Sequence, residues 1–306
     1  MALPQKTLIV VVGPTAIGKT ALAIQLAQFY HTEIISADSR QFFKEMNIGT
    51  AKPSADELAS APHHFIDSHS ITTLFSTGDF EVQSLELMQQ LFVKHDKLVM
   101  VGGSGLYIDA VCKGLDDLPE IDLNIREELN KKLADDGLEA IKTQLQELDT
   151  VYFKKVDQAN PQRMIRGLEV VLSTGKTLSS FLTASKKERP FKIIKIALNT
   201  DRALLYDRIN QRVDLMMEAG LLEEAKGLLP FRKYNALNTV GYSEFFDYFD
   251  GKTDLPTAIA MVKQNTRRFA KRQLTWFRRD EQTAWFEPNE TEKIIQYIEN
   301  ELKLQS

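Results

Sequence analysis

The sequence predicts an α/β fold: a doubly wound parallel sheet built around a P-loop, with an inserted helical subdomain and a helical C-terminal region. Three observations carry that prediction. The stretch TLIVVVGPTAIGKTALAIQLA sets the spacing G-x-x-x-x-G-K-S/T, Gly13 to Thr20, between a β-branched apolar run and a segment of helical periodicity. Strand, glycine loop and helix form the context in which this spacing cradles phosphate on backbone N–H groups. Further short apolar runs alternate with helical stretches, the pattern of βαβ units. Between about Gly114 and Arg189 the alternation stops, and it resumes at Ile193.

The first strand is KTLIVVVG, an apolar run ending in glycine that suits burial on both faces. ALAIQLAQFY follows the loop as a helix. TEIISAD to Asp38, HHFID to Asp67, KLVMVGG to Gly103 and, much later, FKIIKIALN to Asn199 complete the expected strands. In a doubly wound sheet the carboxyl ends of parallel strands share one rim, so Asp38, Asp67 and the turn at Gly102 and Gly103 are expected beside the phosphate loop. The insertion reads as polar helix in IREELNKKLADDGLEAIKTQLQEL. A second helix follows in ANPQRMIRGLEVVLSTGK, with Asn160 as N-cap, Pro161 at its first position and Gly175 as its stop. Beyond Asp201 the chain reads as helix to its end, without repeats or low-complexity tracts. The expected division is a core of residues 1–113 and 190–306 around an insertion of residues 114–189.

At 306 residues and 43% apolar composition the chain can bury a sizeable core. Its single cysteine, Cys112, excludes a disulfide framework and a thiolate metal cage, and fits a small buried apolar role in a reducing compartment. The apolar start is too short to span a membrane and flows straight into the loop. It is read as strand, not as a leader, and a cytoplasmic location is expected. Net charge is −4, yet KQNTRRFAKRQLTWFRR, Lys263 to Arg279, holds seven Lys or Arg and no acid, leaving −11 on the remainder. A basic segment on an acidic body is an address for polyanions, or else a helix face paired with acids elsewhere.

Gly13, Pro14, Thr15, Ala16, Ile17, Gly18, Lys19 and Thr20 form the predicted cradle, with Lys19 reaching terminal phosphates and the Thr20 hydroxyl serving a magnesium ion. The reflex reading is an ATP-binding motif. A hydrolysing nucleotidase would add an apolar strand ending in an acid, whereas LVMVGGSG ends in glycine and serine. Asp38, opening DSRQ, suits a metal ligand, a ribose contact, a general base or a helix cap. Arg208 and Arg212 lie one helical turn apart, placed to close on phosphate or to pair with Asp207, Asp214 or Glu218. His63 and His64 lack a third metal ligand and read as fold or cleft residues. Phe269, Trp276 and Phe277 suit core packing and base stacking equally.

Taken in order, GPTAIGKT, ISADSRQ, GTAKP, HHFID, VGGSGLY, NPQRMIRGLEV, VGYSEF and RRFAKRQLTWFR resemble the tRNA dimethylallyltransferases, also called tRNA isopentenyltransferases, from Thr7 to about Arg279. The resemblance implies transfer of a dimethylallyl group from dimethylallyl diphosphate to N6 of the adenosine just 3′ of the tRNA anticodon, with magnesium. On that resemblance the loop holds the donor's diphosphate instead of ATP, and the bond broken is carbon–oxygen. Lys19, Thr20 with magnesium, and Arg212 are implied to steady the leaving diphosphate, and Asp38 to take the amine proton. The resemblance further implies tRNA contacts at Asp38, Ser39, Arg40 and Gln41, and at Ser104, where the family more often has threonine. It extends them to Arg126 and to Gln162, Arg163, Met164, Ile165 and Arg166 in the insertion. In the C-terminal part it adds Val240, Gly241 and Tyr242, then Arg267, Arg268, Lys271 and Arg272. The implied partners are the tRNA anticodon stem-loop and dimethylallyl diphosphate, with no membrane, and a monomer is expected. The stacked target base is expected to be flipped into a channel.

Three function classes share parts of this pattern. A tRNA prenyltransferase uses all of it. A kinase or prenyltransferase acting on free adenine nucleotides shares the loop and Asp38 but needs neither the insertion nor the basic segment. A non-catalytic RNA-binding ATPase would call for the acid-ended strand that this chain lacks.

Overall fold

The computed structural model describes residues 6–183 and 187–304. In chain order it begins with β1 (Thr7–Val12), α1 (Lys19–Phe29), β2 (Ile34–Ser36), α2 (Ala55–Ser60), β3 (His63–His64), α3 (Thr77–Leu91), β4 (Lys97–Val101) and α4 (Gly105–Lys113). Four helices follow: α5 (Leu123–Leu148), α6 (Thr150–Lys155), α7 (Pro161–Thr174) and α8 (Leu178–Phe181). The sheet resumes at β5 (Lys192–Leu198), succeeded by α9 (Arg202–Glu218), α10 (Leu221–Leu228), α11 (Ser243–Phe249), α12 (Leu255–Phe277), β6 (Ala284–Phe286) and α13 (Thr291–Lys303). Two compact units result, one from the residues before Gly114 and from Arg189 onward, the other from Gly114 to Glu188. Arg189 belongs with the first unit because its guanidinium donates to Glu81 (2.6 Å) and to the carbonyls of Val111 (2.8 Å) and Ala110 (2.7 Å).

The first unit carries a six-stranded sheet in the order β3-β2-β4-β1-β5-β6, all pairings parallel. All six residues of β1 are buried, and its side chains alternate between two cores. Ile9 and Val11 face Leu22 and Leu26 of α1, Ile209 of α9, and Ile294 and Ile298 of α13. Leu8, Val10 and Val12 face Phe80 and Met88 of α3 and Ile108 and Val111 of α4. Each large apolar side chain so buried contributes about 1.5–3 kcal/mol before the entropy of ordering is counted. An unbroken apolar run can use both faces, which is why it occupies the middle of the sheet. This is the doubly wound arrangement that the sequence predicts. A third core joins Val213, Leu221, Leu228, Tyr242, Phe245, Phe246 and Val262 across the C-terminal helices.

The strand pattern departs from expectation at both edges. The HHFID strand is only two residues long, because Phe65 and Asp67 turn the backbone to positive φ (62° and 51°). The segment after Asp201 is not all helical: Ala284–Phe286 adds an edge strand on β5, too short to show any alternation. Asp67 also leaves the rim chemistry, since its carboxylate is held by the Lys52 ammonium.

In the second unit α7 starts and stops as its sequence dictates. The Asn160 side chain accepts from the Arg163 N–H, Pro161 opens the helix and Gly175 closes it in the left-handed conformation. The polar run of α5 is broken at Gly137, whose φ of 79° and ψ of −179° divide it into two helical pieces. Leu129, Ile141, Leu145, Met164, Ile165 and Leu168 form this unit's own core. Among the described residues no helix is long and apolar enough to cross a membrane.

One close approach organises the rim. Ala37 donates its N–H to the Val101 carbonyl (2.7 Å) and Gly102 donates to Val11 (3.2 Å), so the ends of β2, β4 and β1 stay joined past their last paired residues. A Cβ on Gly102 would stand 2.3 Å from the Ala37 carbonyl oxygen. Gly102→Ala is therefore expected to lower the melting temperature by ~5–10 °C through forced backbone separation. Gly227→Ala, in an exposed helix with nothing within 4 Å of the added carbon, should be neutral or slightly stabilising. Thermal unfolding followed by circular dichroism checks both.

Candidate active site

The rim of the sheet lines two cavities. The first, of about 450 Å³, is walled by loop residues Thr15, Ala16, Ile17, Gly18, Lys19 and Thr20, with Lys52, Glu57, His63 and Arg212 opposite. Gly13 and Pro14 are buried beneath the loop, and Ile17 sends its side chain into the core. Lys19, the first residue of α1, donates to the Pro14 carbonyl (2.8 Å), folding its ammonium back over the loop. Burial pulls the Lys19 pKa down to about 8, with Arg212 adding to the fall and Asp38 opposing it. Two cations crowded at a helix N-terminus make a site that is completed by an anion.

The second cavity, of about 380 Å³, has apolar and aromatic walls from Leu106, Tyr107, Phe269 and Trp276, with Ser39, Arg40, Ser104, Val240, Gly241 and Arg272 among its polar and backbone surface. Six residues line both cavities: Thr15, Asp38, Thr50, Ala51, Arg212 and Met216. Asp38 thus stands where the loop cavity meets the cavity with aromatic walls. Its Oδ1 accepts the Arg40 N–H at 3.0 Å, which fixes the turn after β2. The Ser104 hydroxyl accepts from the Ser39 N–H (3.0 Å) and donates to the Ser39 hydroxyl (3.1 Å), tying that turn to α4.

The other residues singled out by resemblance divide by placement. Arg40 donates to the carbonyls of Asn235 (3.2 Å) and Asn238 (3.4 Å), and Gln41 to those of Thr50 (3.1 Å) and Ala51 (3.0 Å). Arg272 lies over the Phe269 ring, while Arg268 and Lys271 are exposed. Arg267 donates to Asn210 (2.5 Å) and lies over the Tyr206 ring. Arg208 lines neither cavity. In the second unit Arg126 and Arg166 both turn to the fully buried Glu169, Arg126 with two nitrogens and Arg166 at 3.6 Å, while Gln162 and Arg163 are exposed. Three expectations need correction. Met164 and Ile165 are core residues, because the helical period turns them inward while Gln162, Arg163 and Arg166 stay out. Tyr242 is fully buried, its phenol donating to Glu224 at 2.7 Å. None of the three offers a surface to RNA.

Gln273 is a residue of the site that pattern reading missed. Buried on α12, it accepts the Thr15 N–H (2.8 Å) and donates to the Gly103 carbonyl (3.0 Å), bridging the loop and the turn after β4. It lies within the quoted segment FAKRQLTWFR, yet a neutral amide among cations gives no signal of a contact 258 positions away. Trp276 resolves as a cavity wall, its indole donating to Asp109 at 2.9 Å, and Phe277 as core.

The Lys19 ammonium is charged below about pH 8 and neutral above it. Affinity for inorganic diphosphate is therefore expected to weaken above pH 8, by up to tenfold per unit, relative to a Lys19→Arg variant whose guanidinium stays charged. Calorimetric titration from pH 6.5 to 9.5 checks this, and parallel curves for the two proteins would refute it.

Comparison with known proteins finds relatives along the chain. The profile described as IPP transferase matches residues 41–280. A tRNA dimethylallyltransferase of Christiangramia forsetii is 57% identical over 96% of this chain and 98% of its own, and one of Flavobacterium johnsoniae is 52% identical over 97% and 99%. The solved structure of a full-length tRNA isopentenylpyrophosphate transferase from Bacillus halodurans superposes with a TM-score of 0.72 at 36% identity, covering 98% of this chain and 97% of that one. A eukaryotic dimethylallyltransferase solved while acting on tRNA superposes at 0.71 with 26% identity, over 89% and 69%. With a phosphate loop, Asp38 at a shared wall and likeness along the whole chain, this protein belongs to the IPP transferase family.

Proposed function

We propose that this protein transfers a dimethylallyl group from dimethylallyl diphosphate to N6 of the adenosine adjacent to the 3′ side of a tRNA anticodon. The observation that carries the reading is the common wall of the two cavities, where Asp38 and Arg212 face both. The diphosphate occupies the loop cavity against Lys19 and Arg212, and the flipped adenine enters the aromatic cavity between Tyr107, Phe269 and Trp276. The amine nitrogen attacks the allylic C1, the C1–O bond breaks with its electron pair leaving on diphosphate, and the amine proton passes to the Asp38 carboxylate. An aromatic amine is a weak nucleophile, so the rate rests on alignment and on neutralising the leaving oxygen.

Magnesium fits as an ion carried in with the donor. Among the described residues no cluster of three His, Cys, Asp or Glu forms a metal cage, whereas the Thr20 hydroxyl lines the loop cavity and would join phosphate and water oxygens in an oxygen-only shell. The ion would supply added charge to the departing diphosphate. Exposed Arg268 and Lys271 on α12 and Gln162 and Arg163 on α7 are the proposed contacts to the anticodon stem-loop. A monomer in the cytoplasm, with Cys112 buried, completes the proposal.

Incubation with magnesium, dimethylallyl diphosphate and unmodified tRNA bearing A-A-A at that position, followed by nucleoside mass analysis, tests the reading. An adenosine heavier by one dimethylallyl group supports it; product from free AMP and none from tRNA would reassign the acceptor. Asp38→Asn keeps an oxygen to accept the Arg40 N–H but removes the base. It is expected to lower turnover by ~10²–10⁴-fold with tRNA affinity nearly unchanged. Equal losses of rate and tRNA binding would make Asp38 structural.

A further inference from the structure

The GTAKP segment supplies the strip of backbone that both cavities share, since Thr50 and Ala51 line each of them. That strip has no sheet or long helix to hold it, and Ala51 sits at a φ of 49°, in the left-handed region that a non-glycine residue adopts only under constraint. The start of the strip is held from α10. The Glu224 carboxylate accepts three consecutive backbone N–H groups, with Oε2 taking Asn47 (3.1 Å) and Ile48 (2.8 Å) and Oε1 taking Gly49 (3.0 Å). Oε1 also accepts the Tyr242 phenol at 2.7 Å. The ring of Tyr242 presses so closely on the strip that a Cβ on Gly49 would meet it at 2.6 Å. From the other side the Gln41 amide holds the carbonyls of Thr50 and Ala51. Successive amides converging on one anion form a nest, and here the anion is built into the chain.

We propose that Glu224 is a positioning residue for the transfer, fixing the 47–51 strip as the wall along which the donor's allylic carbon and the acceptor amine meet. Glu224 lines neither cavity, so it acts through the strip and not on the reactants. A carboxylate is required there because it alone accepts on both oxygens. A carboxamide must turn its NH₂ toward at least one of the backbone N–H donors and leave it unpaired. The inference rests on the prenyl-transfer reading of the two cavities.

The test compares wild type, Glu224→Gln and Tyr242→Phe by steady-state transfer of dimethylallyl to tRNA, tRNA binding, melting temperature and hydrogen exchange of the amides of residues 47–49. For Glu224→Gln the expected result is a fall of ~10–100-fold in kcat/KM for the donor. Hydrogen exchange at those amides should accelerate by a comparable factor, with tRNA Kd within about twofold because phosphate contacts dominate it. Tyr242→Phe, which deletes one donor of four, should show a several-fold loss in the same direction, and it decides the matter alone if Glu224→Gln does not fold. Wild-type donor kinetics in folded Glu224→Gln would overturn the proposal. So would a loss of tRNA binding and of melting temperature in step with the rate. If the wild-type protein itself fails to prenylate tRNA, the functional reading falls. The clamp is then judged by the exchange data alone, where unchanged protection in Glu224→Gln refutes it.

Discussion

Everything at the rim depends on how tightly the ends of β2 and β4 are pressed together. Parallel strands deliver their carboxyl ends to one edge, but they do not by themselves bring backbone within contact distance. The bare Cα of Gly102 lets the Ala37 carbonyl lie against it. That approach sets Asp38 beside the Gly103 and Ser104 turn, and the Ser104 hydroxyl then locks Ser39 in place. With β1 paired to the same β4, the phosphate loop falls next to both. The arrangement at the rim is thus a by-product of sheet packing, refined by a few side-chain hydrogen bonds.

What the sequence disclosed was the local part of this. The loop from Gly13 to Thr20 is a backbone device whose residues must be neighbours in the chain, so its spacing is visible. Asp38 was visible as a carboxylate at a strand end, although its role was not: cap, ligand and base share one residue type. The residues that were invisible act across the fold. Gln273 reaches Thr15 and Gly103 from the far end of the chain, and Glu224 reaches residues 47 to 49 from another helix. Neither has a periodic or compositional signature. Resemblance treated QRMIR as one block, whereas a helix buries Met164 and Ile165 and leaves their neighbours outside. The edge strand at Ala284–Phe286 escaped because three residues carry no readable period.

Charge is distributed with the same division between local and distant causes. The basic run from Lys263 to Arg279 is not a uniform cationic face. Lys263 is paired with Asp214 (2.5 Å), Arg267 is held by Asn210, and Arg278 and Arg279 lie over the rings of Trp285 and Trp276. Of these, Lys263 has an acidic partner, whereas Arg267 is held by a neutral amide and Arg278 and Arg279 keep their charge and stay exposed, as do Arg268, Lys271 and Arg272. The pairing reading is therefore met at Lys263.

Helix α12 also has a mechanical meaning. It is 23 residues long, a rod of roughly 35 Å, and along it sit Phe269 and Arg272 at one cavity and Gln273 gripping the loop of the other. A rod does not tilt at one point alone. If donor and acceptor occupy the two cavities as proposed, a displacement of α12 that improves the fit of one alters the seat of the second, and linkage makes that influence equal in both directions. Communication between donor and acceptor then needs no hinge, no relay of side chains and no separate effector, only the stiffness of a single helix.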